Sequence, residues 1–193
     1  SLEFYKLSYR GQWFKPIGRG FTFALKADMG YGDGFLGNDQ LPFFENYYAG
    51  GPRSVRGYRE NTLGPLDNYL QPLGGNVKIV TGAEVIIPIP FLEQFDQFQF
   101  SAFVDAGNVY CSGGGVIRDL TTSITFGRRV VAEPIPYCRE ANRFDLANMR
   151  GSTGLGAVWI SPLGVMSFSL STPINKKTGD QTEQFQFNIG TNF

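Results

Sequence analysis

The sequence predicts an all-β fold, an antiparallel transmembrane β-barrel, on three observations. Apolar and polar residues alternate along several segments, no segment qualifies as a membrane-crossing helix, and long and short connections fall on opposite sides. Phe 18, Gly 25 and an aromatic share of 15% are high in a chain of 193 residues, yet mean hydropathy is only -0.15. Apolar residues are therefore diluted almost one for one by polar ones, as two-faced strands require. A spanning helix needs roughly 18 or more consecutive apolar residues; the richest run, Val85 to Leu92, is shorter and interrupted by Pro88 and Pro90.

The first candidate strand, residues 2–14, is mixed, with aromatic residues on both faces near Trp13 and Phe14. Residues 21–31 are cleaner. Phe21, Phe23, Leu25, Ala27, Met29 and Tyr31 share one face, with Thr22, Lys26, Asp28 and Gly30 on the other. Residues 77–89 place Val77, Ile79, Ala83, Val85, Ile87 and Ile89 outward and Lys78, Gly82 and Glu84 inward. Residues 97–110 set Phe98, Phe100, Ala102, Val104 and Tyr110 against inward Gln97, Gln99, Ser101 and Asp105. Residues 149–160 and 165–172 repeat the pattern more weakly. At the end of the chain Phe185, Phe187, Ile189 and Phe193 alternate with Gln184, Gln186, Asn188 and Asn192. An amide row opposite a phenylalanine row fits water inside and lipid outside.

These segments amount to about seven strands, each roughly as long as a tilted strand that crosses a bilayer. An open set leaves edge groups unpaired in hydrocarbon, so further strands are expected from elsewhere in the protein. Short connections are expected at Lys15-Pro16-Ile17-Gly18, around 88–95 and at Ser161-Pro162-Leu163-Gly164. Long ones, about 34–76 and 111–148 with the polar 175–182, interleave on the opposite side, as in outer-membrane barrels.

Lys+Arg 17 against Asp+Glu 17 removes the electrostatic basis for nucleic-acid binding. With no histidine and Cys 2, no metal, cofactor or catalytic residue is expected, and the chain is not read as an enzyme. Gly151-Ser152-Thr153-Gly154-Leu155-Gly156 lacks the lysine of a phosphate loop and lies in a strand pattern. Asp28 and Asp33 are explained by a polar lumen.

One long loop carries Gly50-Gly51-Pro52-Arg53-Ser54-Val55-Arg56-Gly57-Tyr58. With Phe103-Val104-Asp105-Ala106-Gly107, the Gly30-Tyr31-Gly32-Asp33-Gly34 segment, Trp159-Ile160-Ser161-Pro162-Leu163-Gly164 and the 184–193 ending, it resembles the BamA family of outer-membrane barrel-assembly insertases. The resemblance covers essentially the whole chain. It implies that residues 1–193 are the C-terminal part of a barrel of about 16 strands, integral to the bacterial outer membrane, with periplasmic POTRA domains lying outside this sequence. It also implies client outer-membrane β-barrel proteins, accessory lipoproteins of the assembly complex and outer-membrane lipid as partners.

In such a family the loop folds back into the lumen. Val55, Arg56, Gly57 and Tyr58 are then expected against the inner wall, with the five-donor guanidinium of Arg56 bridging Glu84 and Asp105 on neighbouring strands. The bland alternative is a solvated loop arginine. A lateral seam is expected at the last strand, through Phe185, Phe187, Ile189, Gly190 and the terminal Phe193, where a client strand adds by β-augmentation. Gly190 fits either a weakened seam or a glycine tolerated in a lumen-facing slot. Cys111 and Cys138 share one outer loop, where either a disulfide or two thiols are open readings. The rivals to an insertase are a two-partner secretion or translocation-assembly transporter, and a passive porin.

Overall fold

The structure, a computed structural model, describes residues 3–35, 41–67, 69–88, 97–112, 144–162 and 164–190, and the backbone path alone of 116–126 and 129–136. In chain order the strands are β1 (Phe4–Gly18), β2 (Phe21–Gly34), β3 (Val77–Ile87), β4 (Phe98–Tyr110), β5 (Val116–Phe126), β6 (Arg129–Pro136), β7 (Arg150–Ser161), β8 (Gly164–Pro173) and β9 (Phe185–Ile189). Seven of them form one sheet in the order β1-β2-β3-β4-β7-β8-β9. Every pairing is antiparallel, so the chain meanders and its connections alternate between the two ends of the sheet. The short turns lie at one end, and the connections 35–76, 111–149 and 174–184 at the other.

The alternation read from the sequence is the alternation of exposure. On one face Leu25, Met29, Phe100, Val104, Leu170, Phe185, Phe187 and Ile189 stand exposed, whereas Ser101, Asp105, Ser169 and Gln186 on the opposite, inner face are buried. What buries them is the 41–67 segment, which lies across the inner face. Its Ala49, Val55, Tyr58 and Leu63 join Val80 of β3 and Val109 of β4 in one apolar cluster. Burying each large member stabilises the docked segment by about 1.5–3 kcal/mol.

Three sequence expectations are corrected. Residues 15–18 are not the first turn but the end of β1: the reversal is made by Gly18, Arg19 and Gly20, all at positive φ, with a register shift between Pro16 and Gly18. Pro16 is tolerated because it sits at that irregularity in a strand with one free edge. The 111–148 connection is not wholly loop, since β5 and β6 pair as a separate hairpin; its Val, Ile and Thr content favours extended backbone. Tyr110 lies on the outward face as expected, in register with Val77, but is not open to lipid, being 1% exposed. At that end of β4 the 144–148 segment crosses the outer face. There the Phe144 ring meets Tyr110 edge-on at 5.1 Å, and Asn108 Nδ2 donates to the Asn148 carbonyl at 2.7 Å.

The expected turn around 88–95 lies mostly outside the described residues, as do Ile89, Leu163, Cys138, Asn192 and Phe193.

Candidate functional site

The inner face is built in transverse rows, because residues in register across antiparallel strands point to the same side. One row runs Lys26, Gly82, Asp105, Ser152. The next is Glu84, Phe103, Gly154, Ser171, and a third is Ser101, Gly156, Ser169, Gln186. Each row holds one glycine, Gly82, Gly154 or Gly156, and a Cβ at Gly156 would lie 3.7 Å from Arg56 Nη1 of the loop tip.

Gly82 shows why a side chain is missing there. A Cβ at that position would lie 2.6 Å from Asp105 Oδ1 and would run into Lys26 Cε. Without it, Lys26 reaches across β3 to Asp105, Nζ to Oδ1 3.0 Å, and also donates to the Ser54 carbonyl at 3.4 Å.

Arg56 approaches the same carboxylate from the loop. Its Nε donates to Asp105 Oδ2 at 2.7 Å, its Nη2 to Asp105 Oδ1 at 3.0 Å and to Glu84 Oε2 at 3.0 Å. Its own backbone N–H donates to Asp105 Oδ2 at 3.2 Å. The guanidinium lies over the Phe103 ring, 3.3 Å from its centroid, a cation–π arrangement worth about 2 kcal/mol when desolvated. The two cations are balanced by two carboxylates, which a buried cluster requires. Asp105 is fully buried and Arg56 nearly so, while Glu84 keeps partial access to water.

The neighbouring tip residues are held as firmly. Val55 and Tyr58 are both fully buried. Gly57 has φ 89, and a Cβ there would lie 3.1 Å from Ser171 Oγ, so both the backbone angle and the wall select glycine. Tyr58 donates its hydroxyl to the Gly151 carbonyl at 3.2 Å. Burial, reinforced by the Asp180 carboxylate, pushes its phenol up to about 12, so it remains a neutral donor.

The structure thus brings Val55, Arg56, Gly57, Tyr58, Glu84 and Asp105 together. It sets the seam residues apart from them. Phe185, Phe187 and Ile189 face outward from β9, Phe187 packing on Phe168 at 4.9 Å between centroids. Gly190 follows the strand with φ 134, its N–H donating to the Val165 carbonyl at 2.9 Å. Cys111 is buried at the end of β4, and among the described residues no cysteine is free.

Three participants went unassigned in the sequence. Lys26 was legible as an inward cation, but not as a partner of Asp105, which needs the register of β2, β3 and β4. Phe103 breaks the polar inner face of β4 as a lone aromatic between Ser101 and Asp105, a signal available from parity alone. Gln186 read as one wetted amide among several, and nothing in the sequence distinguished it. Beside them Arg150 grips Asp180 through Nε at 2.6 Å and Nη2 at 3.0 Å, tying the β8–β9 connection to the start of β7.

The arrangement holds a loop against a wall; it presents no activated nucleophile, and no metal-ligating cluster occurs among the described residues.

Residues 1–193 match the Omp85 superfamily domain. Over its full length the chain is 36% identical to the outer membrane protein assembly factor BamA of Neisseria meningitidis serogroup B, covering 24% of that protein. It is 24% identical over 95% of its length to a SAM50-like protein of Drosophila melanogaster, covering 35% of it. The fold matches the crystal structure of BamA from Haemophilus ducreyi lacking POTRA domains 1-3, with a TM-score of 0.75 and 27% identity, over 96% of this chain and 34% of that one.

Proposed function

This chain belongs to the Omp85 superfamily, and on that premise we propose that it forms the C-terminal part of the barrel of an insertase, which folds and inserts client β-barrel proteins. It is an integral outer-membrane barrel segment. Residues 1–193 supply the last seven barrel strands, with 34–76 and 111–148 as extracellular loops.

The observation that carries the proposal is a loop tip docked through Arg56 on β3 and β4 and through Gly57 and Tyr58 on the edge strand β9, in a chain matched from end to end by an assembly factor. An insertase has to combine a stable barrel with one weak line of pairing. Arg56, Asp105 and Glu84 serve the first need as a lumen lock, and β9 serves the second. Among the described residues Phe185–Ile189 of β9 register with β8, and no strand lies on its other edge. A client strand adding at that edge gains main-chain hydrogen bonds where hydrocarbon offers none. The exposed outer rows meet outer-membrane lipid, and accessory lipoproteins of the assembly complex act with the whole protein. The catalysis is of folding and makes or breaks no covalent bond.

The test is client folding by the full-length protein with its lipoproteins in vesicles of outer-membrane lipid. Client barrels should reach the protease-resistant folded form faster than in protein-free vesicles. Equal rates, or ion conductance with no effect on folding, would favour a transporter or porin instead.

A further inference from the structure

The inner wall holds the loop tip at two places, and Arg56 accounts for only one. The other is on the last strand. Gln186 is the second residue of β9, in register with Ser169 at the end of the row Ser101, Gly156, Ser169. Its side-chain amide brackets two loop residues: Nε2 donates to the Tyr58 carbonyl at 2.7 Å, and Oε1 accepts from the Gly57 N–H at 3.2 Å. The chain just ahead of β9 continues the contact. Glu183 N–H donates to the Gly57 carbonyl at 3.0 Å and Arg59 N–H to the Gln181 carbonyl at 2.9 Å, with Tyr58 and Thr182 paired as an antiparallel bridge. Residues 57–59 are therefore joined to 181–183 by an isolated antiparallel bridge, and Gln186 extends that pairing by one side chain.

Burial makes the contact obligatory in both directions. Gln186 is 3% exposed although it lies on the wall of a polar lumen. With the loop tip withdrawn, its amide loses both partners on that side. With β9 displaced, the buried Gly57 N–H loses its acceptor, and the Tyr58 carbonyl keeps only the Gly51 N–H at 2.9 Å. An unmet buried hydrogen-bonding group is costly, so each element is stable in place only when the other is. The dependence is strong for β9 because, among the described residues, its register with β8 runs over Phe185–Ile189 and no strand supports its other edge.

We infer that Gln186 is a positioning residue that couples docking of the loop tip to placement of the last strand, so that lock and seam form one thermodynamic unit. Coupling of this kind is reciprocal: the docked loop favours the placed β9 by the same factor by which the placed β9 favours the docked loop. Its relevance to client insertion rests on the proposed function, but the coupling itself does not.

Hydrogen exchange on the full-length protein in lipid nanodiscs reads the coupling without any insertion assay, so the two ideas fail separately. Gln186→Leu removes the amide and keeps its bulk. It should speed exchange about ten-fold at 55–59, with Arg56 and its carboxylates intact. Arg56→Ala should speed exchange comparably at 185–189, which Arg56 does not touch, and the double variant should add little to either. Protection over 77–87 in β3 reports that the barrel is folded. If Gln186→Leu disturbs that reference, Gln186→Asn, whose shorter amide cannot reach both groups, takes its place, and the Arg56→Ala arm is judged by the same criterion. Changes confined to β9 in the Gln186 variants, or to the loop in Arg56→Ala, would overturn the inference.

Discussion

Asp105 takes Arg56 on one oxygen at 2.7 Å and Lys26 on the other at 3.0 Å, with its carboxylate fully buried. One acid on β4 thus fastens a loop to the wall and closes the gap across Gly82 to β2. Removing that charge leaves two cations facing the half-open Glu84. Asp105→Asn should therefore cost about 3–5 kcal/mol of loop docking, the range for breaking a buried pair. Glu84→Gln, which removes one bond at a wetter position, should cost less. Limited proteolysis of the full-length protein in membranes checks the order: cleavage within 41–67 should be fastest for Asp105→Asn. Equal resistance in both variants and the parent would exclude an electrostatic lock.

Arg56→Lys is expected to behave as a loss and not as a conservative change. The guanidinium uses its fork for Asp105, its second nitrogen for Glu84 and its plane for Phe103. An ammonium can serve only one carboxylate well. Arg56→Lys should lose about 2 kcal/mol of docking and Arg56→Ala about 3–5 kcal/mol, read as loop cleavage and as slower client folding. Full protection and growth in Arg56→Ala would rule the lock out.

Period-two alternation made the sheet legible because the two faces meet different solvents, and it also put Glu84 and Asp105 on the inner wall in the sequence alone. It could not show the register between strands that are far apart in sequence. Gly82 lies between Lys26 and Asp105 only after β2, β3 and β4 are paired. Gln186 is indistinguishable from Gln184 by type or parity; what singles it out is a loop arriving from residue 57. Tyr110 misled because its face is covered by a connecting segment, which alternation does not encode. The β5–β6 hairpin went unread because loop length was the stronger cue, although its β-branched content was visible.

Gly57→Ala tests whether the tip tolerates any side chain. The change places a Cβ at φ 89 and 3.1 Å from Ser171 Oγ. Left-handed backbone costs about 1–2 kcal/mol for a non-glycine residue, and the contact adds to it. Loop cleavage should rise by about ten-fold. Adding Ser171→Gly should relieve only the contact and recover part of the loss. Complete recovery would mean that the backbone angle is not a constraint.

Cys111 sits buried at the mouth of the 111–149 connection, and Cys138 lies farther along it. A disulfide between them is proposed, worth about 3–4 kcal/mol to that connection in the chain-entropy model. Non-reducing peptide mapping should recover the two cysteines in one linked peptide, and reduction should raise cleavage in 113–143. Two alkylatable thiols in the untreated protein would show the pairing absent.

The seam makes the sharpest demand on β9. One edge pairs with β8, and among the described residues the other has no strand beside it. In hydrocarbon each unpaired backbone group costs several kcal/mol, so that edge must bond either to the barrel's first strand or to a client. A cysteine pair joining Asn188 to the facing residue of the first strand would remove the choice. Oxidation should abolish client insertion and reduction should restore it. Loop resistance to protease should be kept or raised in the linked form, because a fixed β9 favours the docked tip that Gln186 holds. If clients insert at the parental rate with the linkage intact, β9 is not the gate, and the Arg56 lock would then serve barrel stability alone.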